Sequence, residues 1–331
     1  MLIGFCKNSF KRPCFIAFCC RNTKKIKTHS FTQPIFVAKS KSMSKQGFSE
    51  RMYLQFLRTK FKTIGSVSPT VAGKLAFNLF CTPYPKYKKR KAPALFHQAT
   101  PLTIQLKNQL RIKGFEWQPS KPNGKTVLIC HGYASYFYKF EQYIQPLLKE
   151  GFRVIGFDAP AHGQSEGKYI NVIIYKEAIE QIMSTCGPID HFMGHSLGGI
   201  TLAMIAETIP NPLEHKFVLI APATKTTSTL DGFFNMMHLS EPVRQAFLAE
   251  LSKLTHLPIT YFEADRAIEN YPGPLLWVHD KGDRVCPYQD LVKFQENAPE
   301  NIKFLITNEL GHNKVYKTQF VIDKIVAFLS A

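Results

Sequence analysis

Asp190 to Ile200 reads DHFMGHSLGGI, and the rest of the chain is organised around it. Within this stretch Gly194-His195-Ser196-Leu197-Gly198 forms a G-x-S-x-G pentapeptide. A short apolar run, Phe192-Met193, precedes it, and an apolar helix-like segment, Ile200 to Ile209, follows. Strand, sharp turn and helix in that order push one serine hydroxyl above a sheet. Glycine at 194 and 198 suits a turn where neighbouring backbone leaves no space for a Cβ. Leu197 then opens the helix, where partial positive charge gathers. An acyl oxyanion would need its donor there. The competing interpretation is a glycine-rich structural turn, and the flanks weigh against it.

On either side of this turn, short apolar runs alternate with helical patterns. Thr126–Cys130 (TVLIC), Arg153–Phe157, Phe217–Ala221, Pro274–His279 (PLLWVH) and Ile302–Thr307 read as buried strands. Leu102–Leu106 and Leu110–Trp117 read as two strands joined by a polar turn. Helical patterns fall near Phe140–Lys149, Ile173–Met183, Tyr288–Asn297 and Phe320–Leu329. This alternation predicts an α/β fold with a mostly parallel central sheet and helices on both faces. Ligands in such sheets sit at the carboxyl ends of the strands. The loops that carry polar residues lie at such ends: His131-Gly132-Tyr133, the DAPAHGQS segment from Asp158, Asp280-Lys281-Gly282-Asp283 and Gly311-His312.

The chain has 331 residues, 45% of them hydrophobic and 13% aromatic, enough for a large core. Its net charge of +18 suggests a nucleic-acid partner until it is mapped along the sequence. Residues 1–125 carry 25 Lys/Arg against 2 Asp/Glu, whereas residues 126–331 carry 17 against 22. The basic character belongs to the N-terminal part, which contains no aromatic-basic module of the nucleic-acid-binding kind. No nucleic-acid partner is expected. The eight cysteines show no C-x-x-C or Cys/His metal spacing, and a reducing, cytoplasmic location fits.

Residues 1–45 hold ten Lys/Arg and no acid, and read as a disordered basic tail. Met43 offers an alternative start, which would leave the tail untranslated. The apolar run CFIAFCC at Cys14–Cys20 is far short of the roughly 20 residues a membrane-spanning helix needs. No A-x-A-like cleavage site follows it. Residues 46–100 form a helical extension. Met52, Tyr53, Phe56, Leu57, Phe61 and Ile64 share one helix face, and a second helix begins at Ser68-Pro69, carrying Val71, Leu75, Ala76, Leu79 and Phe80. A cluster of five basic residues follows between Lys86 and Lys91. These basic amphipathic helices either pack on the main domain, the favoured alternative, or make a peripheral membrane contact.

HGY, DAPAHGQS, GHSLGG, HDKGD and the C-terminal GH, in that order along the chain, resemble the α/β-hydrolase superfamily over roughly residues 100–331. Within it the chain is similar to bacterial hydrolases grouped with serine aminopeptidases and monoacylglycerol lipases. Ala161 departs from the pattern, which has glycine there, and Cys286 stands where the pattern has valine. The resemblance implies a domain at 101–331 with a short helical cap inserted at about 222–273. It implies a catalytic triad of Ser196, Asp283 and His312, with Asp283 preferred over Asp280 and Asp280 left to stabilise the turn. The backbone N–H groups of Tyr133 and Leu197 become the oxyanion donors. His131, His162 and His195 are expected to be structural. In the cap, Leu230, Phe233, Phe234 and Met237 form an apolar stripe, and Phe233, Phe234 and Met237 are candidates for the substrate pocket. The expected activity is hydrolysis of small-molecule carboxylic esters through an acyl-enzyme, which needs no cofactor or metal. The alternatives are an amide or peptide hydrolase and a non-catalytic binding protein on the same scaffold.

Overall fold

The computed structural model describes residues 45–83 and 91–331. The expected basic tail with its CFIAFCC run, Met43, and the basic cluster up to Arg90 lie outside the described residues. Eight strands form one sheet: β1 (Thr100–Gln105), β2 (Arg111–Trp117), β3 (Thr126–Cys130), β4 (Arg153–Phe157), β5 (His191–His195), β6 (Lys216–Ile220), β7 (Leu275–Asp280) and β8 (Ile302–Thr307). Their order across the sheet is β1-β2-β4-β3-β5-β6-β7-β8. β2 runs antiparallel to both β1 and β4, and every pairing from β4 to β8 is parallel.

The helices are α1 (Lys45–Val67), α2 (Pro69–Phe80), α3 (Glu141–Lys149), α4 (Val172–Cys186), α5 (Leu197–Ala206), α6 (Thr226–Met237), α7 (Glu241–Thr255), α8 (Ala264–Ile268), α9 (Gln289–Glu296), α10 (Gly311–Lys314) and α11 (Gln319–Ser330). Every residue of β3, β5 and β7 is buried. This is why their cores, Val127–Cys130, Phe192-Met193 and Leu275–Val278, read as continuous apolar stretches instead of alternating ones. One apolar cluster, with residues of α4, α5, α8 and α9, covers one face of the sheet. A second, with residues of α3 and α11, covers the other.

The insertion between β6 and β7 contains α6, α7 and α8. The N-terminal extension packs on it. α2 starts at Ser68, whose hydroxyl accepts from Val71 N, with Pro69 in the first turn where its missing N–H costs nothing. α2 and α7 come so close that a Cβ on Gly73 would lie 2.5 Å from Ala246 Cβ. Leu57, Phe61, Ala72, Ala76 and Phe77 of the extension share one apolar cluster with Leu230, Phe233, Phe234, Met237, Val243 and Phe247 of the insertion.

Two details differ from the expected helix faces. Met52 and Phe56 stand exposed on α1, and the fully packed side of α2 is Ala72, Gly73, Ala76 and Phe77, with Val71 exposed. Close helix contact requires the small residues inside, and this outweighs the hydrophobicity of the valine. Among the described residues no helix is long and apolar enough to cross a membrane.

Candidate active site

Parallel register brings the key loops to one edge. Cys130 pairs with Gly194, and His195 with Ile220, so the segments following β3, β5 and β6 leave the sheet side by side. Ser196 occupies the turn from β5 into α5 with φ 55° and ψ −117°. Positive φ is unusual for a non-glycine residue and costs on the order of 1–3 kcal/mol, supplied by the surrounding packing. The flanking glycines make that turn possible. A Cβ on Gly198 would lie 2.5 Å from Cys130 O, and one on Gly194 would lie 2.7 Å from the Gly198 carbonyl carbon. Leu197 N opens α5, where a first-turn N–H has no intrahelical acceptor.

His312, in α10, is buried. Its Nδ1 lies 2.8 Å from Asp283 Oδ2. The other oxygen, Asp283 Oδ1, accepts from Val285 N at 2.8 Å and Cys286 N at 2.9 Å. Cys286 itself lines the same cavity as Ser196. Carboxylate and imidazole are thus tied directly, and the segment whose backbone orients the carboxylate also lines the cavity at Ser196. The Ser196 hydroxyl makes no direct hydrogen bond to His312, a contact that in apo sites is often long and tightens with substrate.

Asp280 does different work. Its Oδ1 accepts from Gly282 N and Gly311 N, both at 2.8 Å, and its Oδ2 from Thr307 Oγ1 at 2.7 Å and Leu310 N at 3.0 Å. It clamps the loop of Asp283 to the loop of His312. Burial opposes its ionisation, but the hydrogen bonds from Thr307, Gly311, Leu310 and Gly282 together outweigh burial and hold its carboxyl below the ordinary value.

Three further histidines act as backbone braces. His131 Nδ1 bonds Gly132 O, and its Nε2 accepts from Ala159 N at 2.9 Å. His162 Nδ1 bonds Pro160 O, and its Nε2 accepts from Ala134 N at 2.9 Å. Burial pushes His131 down to about 4 and His162 down to about 3, so both are neutral at pH 7. Together they fix the loop carrying Tyr133 against the loop carrying Ala161. Ala161 has φ 64°, the left-handed conformation that glycine adopts without cost. His195 bonds His312 O through Nε2 at 3.0 Å, and its ring packs against those of His312 and Tyr316.

A cavity of about 190 Å³ opens at Ser196. Tyr133 and Leu197 line it beside the serine, and Phe233 lines it from α6. Phe234 and Met237 do not reach it, which corrects the expected pocket. They lie on the side of α6 that packs against the rest of the helical layer, and Phe234 meets Phe247 edge-on. On the cavity side, Leu230 and Met236 join Phe233 instead. Phe77, Phe80 and Cys81 of the extension also line the cavity. In the sequence Phe80 belongs only to an amphipathic helix face, and nothing in the sequence alone links that helix to the serine. Among the described residues, no group of His, Cys, Asp and Glu is arranged to hold a metal ion.

Residues 121–272 match the family model described as serine aminopeptidase, S33. A serine hydrolase-like protein of Danio rerio is 28% identical over 130 residues, 38% of this chain and 39% of that protein. The matched region therefore spans about two-fifths of that relative's length. Among solved structures, an esterase from Pyrococcus furiosus superposes with a TM-score of 0.54 at 20% identity, covering 75% of this chain and 95% of that one. Alpha/beta hydrolase domain-containing protein 10 from mouse superposes with a TM-score of 0.52 at 16% identity, covering 70% of this chain and 97% of that one.

Proposed function

We propose that this chain, which has the α/β-hydrolase fold, is a serine hydrolase that cleaves carboxylic esters through an acyl-enzyme. Ser196 attacks the ester carbonyl carbon. His312 Nε2 takes the hydroxyl proton and then delivers it to the leaving alcohol. Asp283 holds Nδ1–H and stabilises the imidazolium as it forms. The N–H groups of Leu197 and Tyr133 receive the developing oxyanion, each worth about 3 kcal/mol of barrier. A water molecule activated by His312 then releases the acid and restores the serine.

The observation that carries this proposal is the 2.8 Å contact between His312 Nδ1 and Asp283 Oδ2, with the carboxylate oriented by two backbone N–H groups and Ser196 held in a strained turn at the same edge of the sheet. A bare serine hydroxyl is a poor nucleophile, and a base oriented by a third group is what activates it. A binding scaffold alone gives no purpose to a buried imidazole oriented by a carboxylate.

The choice of ester over amino-terminal peptide substrates is supported by the cavity. An aminopeptidase must receive a free ammonium, and burying that charge requires a carboxylate partner. Among the described residues lining the cavity there is none: their one charged side chain is Arg284. The Pyrococcus esterase of the same fold is consistent with this choice.

Two measurements test the proposal. A fluorophosphonate probe should label the chain at Ser196 and leave Ser196→Ala unlabelled. p-Nitrophenyl esters should turn over at least about tenfold faster than aminoacyl anilides, a difference of about 1.4 kcal/mol in barrier. Absence of labelling on a folded chain would refute the nucleophile, and preference for anilides would refute the ester assignment.

A further inference from the structure

We infer that α2, the second helix of the N-terminal extension, forms one wall of the acyl pocket and sets the chain length accepted, so that medium-chain esters are the substrate class. This rests on Ser196 being the nucleophile. Phe77, Phe80 and Cys81 come from the C-terminal part of α2 and its cap, and all three line the cavity that opens at Ser196. The family model matches residues 121–272, so this wall lies outside the segment shared with that family.

The wall is fixed from both sides. The Tyr133 hydroxyl lies 3.0 Å from Phe80 O and 2.6 Å from Thr82 O, binding the end of α2 to the loop that carries an oxyanion donor. Ile170 N donates to Cys81 O at 2.8 Å. From the insertion, Phe233 meets the Phe80 ring at 5.1 Å, and Phe247 meets Phe77 at 5.3 Å and Phe80 at 5.7 Å, all edge-on. Aromatic rings locked by mutual packing do not rotate aside to admit a longer chain.

Volume gives the length. An apolar cavity of about 150 Å³ holds benzene, a ligand of six carbons. The cavity at Ser196 is about 190 Å³ and lined chiefly by apolar side chains. It therefore takes roughly six to eight carbons of an acyl chain. Chains beyond that length meet Phe77 and Phe80 at the α2 side of the cavity.

The test compares wild type, Phe80→Ala and Phe80→Trp on p-nitrophenyl esters from acetate to tetradecanoate. Wild-type kcat/KM should peak at hexanoate to octanoate. Phe80→Ala should shift the peak longer by about two carbons and raise the decanoate-to-hexanoate ratio about tenfold, roughly the value of two buried methylenes. Phe80→Trp should shift it shorter. The same variants in a Ser196→Ala background are titrated calorimetrically with straight-chain fatty acids of four to fourteen carbons. The chain length at which affinity stops rising should move in the same directions. A peak or break that stays fixed in folded Phe80 variants overturns the wall, as does a wild-type optimum at acetate. If no ester is hydrolysed and no probe labels the chain, the nucleophile assignment fails, and the fatty-acid series alone decides the wall. Phe80→Trp keeps the test decisive if Phe80→Ala does not fold.

Discussion

Replacing Asp283 with asparagine changes one atom, and the surroundings dictate where that atom goes. Oδ1 of Asp283 accepts two backbone N–H groups, from Val285 and Cys286, at 2.8 and 2.9 Å. An amide nitrogen cannot take that place without facing both donors, so the asparagine oxygen must occupy it. The NH2 group is thereby turned onto His312 Nδ1, which now has to accept. His312 is forced into the tautomer with the proton on Nε2, unable to take a proton from Ser196, and the imidazolium loses its counter-charge. Such a change of tautomer costs about 10,000-fold in a triad, and about 1,000-fold or more is expected here, or ~4 kcal/mol or more of barrier. The assay is kcat/KM on p-nitrophenyl hexanoate together with the rate of fluorophosphonate labelling, with the melting temperature as a control for folding. Asp280→Asn provides the contrast. Asp280 accepts four donors, so an NH2 must face at least one of them, and the expected loss is mainly in stability, about 1–3 kcal/mol. A folded Asp283→Asn that keeps activity within about tenfold (~1.4 kcal/mol) refutes the assigned acid.

Other consequences follow from the same contacts. His131 and His162 are buried neutral, at about 4 and about 3 against an ordinary 6.5, and burial lowers His191, His195 and His279 as well. The unfolded chain binds these protons first, so stability is fully present above about pH 6.5 and is lost as pH falls towards 3–4, with His131 alone contributing about 3 kcal/mol. Burial raises Asp158 and opposes this trend near the acid end. Denaturant midpoints that do not fall between pH 7 and pH 4.5 would contradict the buried neutral state. Tyr133→Phe removes the tie from the oxyanion loop to Phe80 O and Thr82 O, and should lower kcat about fivefold with KM little changed, as expected for ~1 kcal/mol of lost positioning; an unchanged kcat would show that the loop holds its shape without α2. Gly198→Ala places a Cβ 2.5 Å from Cys130 O and should destabilise the chain by about 1–3 kcal/mol, read as a lower urea midpoint. Of the four described cysteines, Cys81, Cys130 and Cys286 are buried, and burial pushes Cys81 and Cys130 up to about 12 and Cys286 well above its ordinary value. Iodoacetamide at pH 8 should modify the half-buried Cys186 first among them; peptide mapping that finds Cys286 first would mean that the cavity opens widely.

The strands and the turn around Ser196 were legible because their signals are local. An apolar run such as Val127–Cys130 has few fates except a strand covered on both faces, and Gly194, Ser196 and Gly198 encode a turn whose crowding is set within a few residues of chain. Chain order and strand-end position were enough to nominate Asp283 and His312 through resemblance. Which of the two nearby carboxylates meets the imidazole is a different matter. Asp280 and Asp283 lie three residues apart, and only the folded loops direct one towards His312 and the other towards four donors.

The pocket lay further out of reach. Periodicity marks Leu230, Phe233, Phe234 and Met237 as one apolar stripe, but a helix enclosed on several sides buries residues in more than one direction. Sequence periodicity does not say which buried side faces a cavity, so Phe233 lines it while Phe234 and Met237 pack into the helical layer. The approach of α2 to Ser196 is set by docking between segments more than 100 residues apart. The order of elements and the nucleophile turn were therefore determined by the chain's own local chemistry. The identity of the acyl-pocket wall was decided only by tertiary packing, because apolar burial is non-directional and selects its partner by shape once the whole chain has folded.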